Sequence, residues 1–359
     1  MKNCTSYMAA ANTCEGFVSY FDDLLKSGER IFILKGGPGC GKSTFMKKVA
    51  KEIVNKGYKL DLIYCSSDKD SLDAIFIHDI KVIILDGTAP HVIDPKYPGV
   101  VDSIVNFGEY FNEYKLRESK NKIKEIIDKK AEKYKELYSV LKSAKIIHDK
   151  IEKEYLIGMN FEKANQISTF LSNEIIKENK GVEGKEIHRF SGALTPQGQV
   201  SYYDELTFDI ESRYIVKGRA GSGKSTLMNK IATNAINNGY EVEFYHCGLD
   251  PKSLDMVIIR ELSVAILDGT YPHIVDPTGS DKVIDMFEEC IDKEIVNEED
   301  EILISKNKEY KDEIEKAKNI FDEIKNLHEI LENIYSSTVD FSKVDDVYKK
   351  IVNEILNMK

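Results

Sequence analysis

Short apolar runs alternate with amphipathic stretches along the first part of the chain. The run IFIL at 31–34 precedes a glycine-rich segment, and apolar side chains then recur at helical spacing until Gly57. Further apolar runs follow at 59–65 and 82–86. Strands that alternate with a helix in this way predict an α/β domain with a parallel sheet.

The same order of elements returns later in the chain. GGPGCGKST at 36–44 recurs as GRAGSGKST at 218–226, an offset of 182 residues. VIILDGTAPHVIDP at 82–95 recurs as VAILDGTYPHIVDP at 264–277, with 10 of 14 positions identical. These matches indicate a tandem duplication, with one copy at about 8–184 and the other at about 186–359.

A helical part follows each α/β part. Its apolar positions recur at spacings of three and four, which is typical of the seam between long paired helices. Breaks at about 157–160 and 336–340 precede a second helix, so we expect each arm to be a helical hairpin. His148 and His328 fall in the seams, where packing is the expected role. The seam positions are Ile127, Tyr134, Leu137, Leu141, Ala144, His148, Ile151 and Tyr155 in the first arm, and Tyr310, Ile314, Ala317, Phe321, Ile324, His328, Leu331 and Tyr335 in the second.

Charge distinguishes the two copies. The chain carries 50 basic and 61 acidic side chains, a net −11, yet residues 1–181 sum to +3 and 182–359 to −14. Residues 115–153 carry +6 and the equivalent stretch 295–333 carries −6. Opposite charges predict that the two arms lie against each other. The rival interpretation, a basic arm that binds nucleic acid, is disfavoured because acidic residues are interspersed.

Composition limits the class of protein. Apolar residues make up 42% and charged residues 31% of the 359 residues, which is the balance of a soluble globular protein. The six cysteines form no CxxC pair, which predicts free thiols and a cytoplasmic protein. We expect no membrane contact, because no run approaches 18 apolar residues.

The two glycine-rich segments match the P-loop signature G-x-x-x-x-G-K-[ST]. We refer to 36–44 as the first glycine loop and to 218–226 as the second. Backbone N–H groups of such a loop and the start of the next helix bind a phosphate chain, and the lysine reaches its terminal phosphates. The predicted nucleotide-binding residues are Gly36, Gly37, Pro38, Gly39, Cys40, Gly41, Lys42, Ser43 and Thr44, together with Gly218, Arg219, Ala220, Gly221, Ser222, Gly223, Lys224, Ser225 and Thr226.

An acid ends an apolar strand downstream of each loop. Asp86 follows VIIL and Asp268 follows VAIL. We expect each acid to hold Mg²⁺, together with the hydroxyl of Ser43 or Ser225. Lys42, Asp86, Lys224 and Asp268 are therefore among the predicted catalytic residues, with His91 and His273 added below, and neither nucleotide site looks degenerate.

These motifs resemble the P-loop NTPase superfamily. The resemblance implies two tandem α/β domains with parallel sheets, each followed by a helical arm, and it implies ATP and Mg²⁺ as cofactors. The whole layout is also similar to a bacterial family of tandem P-loop ATPases. The expected boundaries are 1–110 and 185–290 for the α/β domains, and 111–184 and 291–359 for the arms.

Two departures from this pattern concern hydrolysis. Gly87 and Gly269 stand where many ATP-driven enzymes place a catalytic glutamate directly after the acid. The sequence also indicates no strand after 82–86 that would carry a sensor residue. LDG-T-x-P-H is loosely similar to a segment of adenylate kinases, and the absence of an NKxD-type motif favours ATP over GTP.

The segment DGTxPHxxDP supplies further candidates. One hypothesis has His91 and His273 contact the γ-phosphate or orient water, with Asp94 or Asp276 fixing the histidine tautomer. The alternative is a loop shaped by its prolines and its own hydrogen bonds. For Cys40 we favour a neutral small residue tolerated at a variable position, and the alternative is a redox switch whose thiol pKa is lowered by the helix N-terminus.

Three functions follow as expectations. The first is a slow Mg²⁺-dependent ATPase that acts as a nucleotide-driven switch or assembly factor, with a possible protein partner. The second is a phosphotransferase acting on a nucleotide or small metabolite. The third is a scaffold that binds ATP without hydrolysing it.

Overall fold

The computed structural model describes residues 4–271, 275–297 and 300–358. The strands of the first copy are β1 (Cys4–Tyr7), β2 (Ala10–Thr13), β3 (Gly16–Ser19), β4 (Arg30–Lys35), β5 (Leu60–Cys65), β6 (Asp68–Ile77), β7 (Val82–Asp86) and β8 (Asp102–Asn106). Those of the second copy are β9 (Lys185–Phe190), β10 (Gly192–Thr195), β11 (Gly198–Ser201), β12 (Ser212–Lys217), β13 (Glu241–His246), β14 (Leu254–Ile259), β15 (Val264–Asp268) and β16 (Lys282–Asp285). The helices are α1 (Phe21–Leu25), α2 (Lys42–Asn55), α3 (Glu113–Glu118), α4 (Lys120–Leu156), α5 (Phe161–Ile175), α6 (Tyr203–Thr207), α7 (Lys224–Asn237), α8 (Met286–Cys290), α9 (Glu301–Ser336) and α10 (Phe341–Leu356).

Two six-stranded sheets have the same strand order. The first is β1-β5-β6-β7-β4-β8 and the second is β9-β13-β14-β15-β12-β16. Most strand pairings in each sheet are parallel, as predicted. The exception in the first sheet is β6, which runs antiparallel to both β5 and β7, and β14 is its counterpart in the second. Only two residues separate β5 from β6, and so short a connection joins antiparallel strands. The sequence indicated no strand after 82–86, but the structure has one. This strand, β8, pairs with β4 on the side away from β7.

The two sheets share a central core. Met8 and Phe190 form a bridge between the copies, and both side chains are fully buried. Apolar residues from one face of each sheet, such as Ile33 and Ile215, belong to the same cluster, with α1 and α6 in it. The opposite faces are covered by α2 and α7. Since the copies bury apolar surface against each other, the α/β parts form one continuous body.

The long helices α4 and α9 lie antiparallel along most of their length. Ile151 packs near Leu303 at one end, and Leu141 near Phe321 in the middle. Lys133 bonds Glu323 across the pair at 2.6 Å, in keeping with the opposite charges of the arms. The predicted seam is shifted at the start of α4, where Ile127 is exposed and its neighbours Ile123 and Ile126 are buried.

The short helices cross to the other copy. The apolar faces of α5 and α7 meet on the second sheet through Leu171 and Ile231. In the same way α10 packs near α2 on the first sheet, where Lys48 bonds Asp345 at 2.9 Å. The predicted breaks at 157–160 and 336–340 are confirmed, but the predicted hairpins are wrong. The apolar seam of each long helix packs against the other long helix. The short helix that follows therefore packs on a sheet instead of on its own long helix.

Within the part of the chain that the structure describes, no helix has the length and apolar character needed to cross a membrane.

Candidate functional site

Each glycine loop joins a central strand to a helix. The first links β4 to α2 and the second links β12 to α7. Positive φ angles at equivalent glycines give both loops the same backbone path, which side chains with a Cβ rarely adopt. The values are 156° at Gly36, 67° at Gly39 and 92° at Gly41, against 146° at Gly218, 76° at Gly221 and 86° at Gly223.

The loop lysines fold back onto their own loops. Lys42 Nζ donates to the carbonyl oxygens of Gly36 at 2.9 Å and Gly37 at 3.0 Å, and lies 3.4 Å from Asp86 Oδ2. Lys224 Nζ bonds the carbonyls of Gly218 at 2.7 Å and Arg219 at 3.0 Å. Each predicted lysine therefore contacts the backbone of its own glycine loop.

The acids lie beside these lysines because their strands are direct neighbours. In the β4–β7 register Asp86 is opposite Leu34, just before the loop. Its Oδ1 accepts from Thr88 N at 2.9 Å and from the Thr88 hydroxyl at 2.5 Å. Asp268 Oδ2 lies 3.6 Å from Lys224 Nζ. Burial raises the pKa of Asp268, and the nearby Lys224 opposes that shift.

The predicted metal ligands include two serine hydroxyls. Ser43 Oγ accepts a hydrogen bond from Leu72 N, and Ser225 Oγ accepts one from Leu254 N, both at 3.0 Å. A hydroxyl that accepts from a backbone N–H keeps lone-pair capacity for a cation. Together with the carboxylate of Asp86 or Asp268, these donors form an all-oxygen set, which suits Mg²⁺.

A second acid near each site was missed by the sequence reasoning. Asp73 ends the SLD segment on β6, beside the strand that carries Asp86, and is 8% exposed. Its counterpart Asp255 contributes to the raised pKa of Asp268. The signal that could have found both acids is the recurrence of SLD at 71–73 and 253–255.

His91 pairs with this second acid. Its Nε2 lies 3.5 Å from Asp73 Oδ2, and its ring packs 4.8 Å from that of Phe21. Burial opposes the charged imidazole, but the Asp73 carboxylate and Asp86 outweigh it and raise the His91 pKa. The partner predicted from sequence, Asp94, instead bonds Lys35 at 2.8 Å and is largely exposed. His273 lies outside the described residues.

Cys40 is fully buried under its loop, with Sγ 3.7 Å from Lys42 Nζ. Burial raises the pKa of the Cys40 thiol, and Lys42 only partly offsets the shift. This direction is opposite to the lowered pKa that the redox-switch alternative requires, because desolvation outweighs the charge of Lys42. Ser222, at the same position of the second loop, donates to the carbonyl of Arg219 at 2.8 Å.

The arm of each copy crosses the loop of the other. A methyl group at Gly39 would lie 2.5 Å from the carbonyl oxygen of Glu332 on α9. A methyl group at Gly221 would lie 2.7 Å from the carbonyl oxygen of Glu152 on α4. Glu152 and Glu332 are equivalent in the duplication, 180 residues apart. Both contacts require glycine, because the helix backbone occupies the space of a side chain.

Several ionisable groups accompany these crossings. His328, one turn before Glu332, has Nδ1 2.9 Å from Lys130 Nζ and Nε2 3.6 Å from Glu332 Oε1. Burial, Lys130 and Lys42 lower the His328 pKa to about 4. Burial raises the Glu332 pKa, with Asp68 adding to the shift. Besides its predicted place in the seam, the His328 side chain therefore contacts Lys130 and Glu332.

The fold and the paired loops define a duplicated mixed α/β protein with two equivalent lysine–aspartate sites. A family model described as "Nephrocystin 3, N-terminal" matches residues 12–142, about a third of the chain. This match includes the first glycine loop and Asp86. Neither the curated proteins nor the solved structures gave a match.

Proposed function

We propose that the chain binds ATP with Mg²⁺ at two sites and hydrolyses it slowly. The observation that carries this proposal is the repeated constellation of a glycine loop, a lysine and an acid. The two lysine–aspartate distances are 3.4 and 3.6 Å, in loops of matching backbone shape. Two copies that diverged elsewhere, even in the sign of their charge, keep this geometry.

The residues support a division of labour at each site. Backbone N–H groups of the loop and the first turn of α2 or α7 are suited to bind the phosphates. Lys42 can exchange its carbonyl partners for phosphate oxygens, since a lysine ammonium is a mobile point charge. Ser43 and Asp86 would hold Mg²⁺, which neutralises phosphate charge when bound. Ser225 and Asp268 take these roles in the second site.

The arms connect this activity to a conformational switch. Because α9 touches the first loop and α4 touches the second, a loop that rearranges around phosphates changes the surface each arm rests on. We therefore propose a nucleotide-driven switch or assembly factor. The six cysteines are all free, which supports placing this activity in the cytoplasm.

Phosphate release from ATP, measured without an acceptor, tests the proposal. We expect Lys42→Ala and Lys224→Ala each to remove one site, and the double variant to lose at least about a hundredfold in rate. Lys51→Ala, an exposed lysine on the same helix as Lys42, is the matched control. ADP formation that requires an acceptor would instead indicate a phosphotransferase. Tight ATP binding without turnover, unchanged by Asp86→Asn, would indicate a scaffold.

A further inference from the structure

The crossings bring a glutamate of each copy's arm against the glycine loop of the other copy. Glu332 lies on α9 of the second copy, with its backbone against Gly39 of the first loop. Glu152 lies on α4 of the first copy, with its backbone against Gly221 of the second loop. The same helix position therefore meets the same loop position twice, in opposite directions.

Each glutamate is accompanied by a histidine one turn earlier. Glu332 Oε1 lies 3.6 Å from His328 Nε2, and ligand atoms of Glu152 and His148 lie within 4.8 Å of each other. The loop lysines influence three of these groups: Lys42 helps to lower the pKa of His328 and opposes the raised pKa of Glu332, and Lys224 helps to lower the pKa of His148. His148, His328 and Glu332 therefore lie within electrostatic range of the loop lysines.

The site otherwise has no carboxylate at the position where hydrolysis commonly uses one. Gly87 and Gly269 follow the metal-binding acids. Asp86 is held by Thr88 and Lys42, which suits a metal ligand rather than a group that receives a proton. The carboxylate of Asp73 is paired with the imidazole of His91. Among the described residues, the glutamate of the other copy's arm is therefore our candidate for the acid that serves the reacting water.

We propose that each nucleotide site is completed by the arm of the other copy, with Glu332 serving the first site and Glu152 the second. This inference rests on the proposed ATPase function. The carboxylate accepts a proton as the water oxygen bonds to the γ-phosphorus. The bond from that phosphorus to the β,γ-bridging oxygen breaks, ADP leaves with the electron pair, and the proton then passes to the released phosphate or to solvent.

Single-site variants test the crossed assignment. Lys224→Ala leaves the first site active, and in this background we expect Glu332→Gln to lower phosphate release about a hundredfold or more. ATP affinity should stay within about twofold, and Glu152→Gln should have little effect. In the Lys42→Ala background the two glutamine variants should exchange their effects. Exposed glutamates on the same helices, changed as Glu132→Gln and Glu315→Gln, are the matched controls.

Three outcomes would overturn the crossed assignment. One is normal turnover in Glu332→Gln with the second site silenced. Another is a loss caused by Glu152→Gln in that same background, which would assign each arm to its own copy. The third is ATP that binds the wild type but is never hydrolysed. Absence of any ATP binding would instead refute the proposed function. If Glu332→Gln fails to fold, Glu332→Asp keeps the charge and should retain ATP binding with reduced turnover.

Discussion

Replacing Gly39 by alanine should detach the second arm from the first glycine loop. At φ 67° an alanine costs about 1–2 kcal/mol of backbone strain. Its methyl group would also lie 2.5 Å from the carbonyl oxygen and 2.9 Å from the Cα of Glu332. A helix backbone cannot rotate away as a long side chain can, so overpacking adds about 1–3 kcal/mol.

Gly57→Ala is the matched control for this variant. Gly57 has φ 92°, at least as unfavourable for alanine, and a methyl group there would meet nothing within 4 Å. It therefore carries the backbone strain without the contact. The free-energy cost of Gly39→Ala minus that of Gly57→Ala should be about 1–3 kcal/mol, and this difference measures the arm contact at Gly39.

Amide hydrogen exchange of the end of α9 and of α10 measures this contact directly. A loss of 1–3 kcal/mol corresponds to exchange about 5 to 150 times faster in Gly39→Ala, since 1.4 kcal/mol is a factor of ten. In Gly57→Ala the arm should exchange at the wild-type rate. If the amide hydrogens of α9 and α10 exchange at the same rate in Gly39→Ala and Gly57→Ala, the argument that the arm packs on the loop is refuted.

Three further changes have defined outcomes. Phe321→Ala removes a fully buried ring from the seam between α4 and α9 and should destabilise the paired arms by about 3–5 kcal/mol in denaturant melts, whereas Glu315→Ala should cost little. The raised pKa of His91 stabilises the fold below the ordinary histidine pKa of about 6.5, and that stability should disappear as pH rises through the folded-state value. Asp73→Asn should therefore flatten the dependence of the melting temperature on pH above about 6.5, and an unchanged profile would contradict the pairing. Cys40 should react with a thiol reagent only as fast as the loop opens, and rapid labelling of the native protein would contradict its burial.

Local sequence rules account for the centre of each site. The glycine spacing demands positive φ angles, and parallel neighbouring strands bring their carboxyl ends together. For these reasons the sequence alone predicts that Lys42 and Asp86, 44 residues apart, lie side by side. The duplication extends the same argument to Lys224 and Asp268.

The features that sequence reasoning missed depend on long-range packing. Glu332 is 293 residues from Gly39, and no local pattern states which copy's loop a helix will cross. The equivalence of Glu152 and Glu332 was the available signal. The Cys40 thiol illustrates the same limit, because its pKa is set by burial among distant residues rather than by the adjacent helix. Charge did point to the pairing of the arms, although the apolar seam supplies most of their buried surface.

ATP-binding stoichiometry by equilibrium dialysis, in the presence of Mg²⁺, tests the central claim most directly. The account predicts two bound nucleotides per chain for the wild type. Lys42→Ala and Lys224→Ala should each retain one, and the double variant should bind none. A wild-type chain that binds no ATP, or lysine variants that still bind two, would contradict the claim that both glycine loops are nucleotide sites.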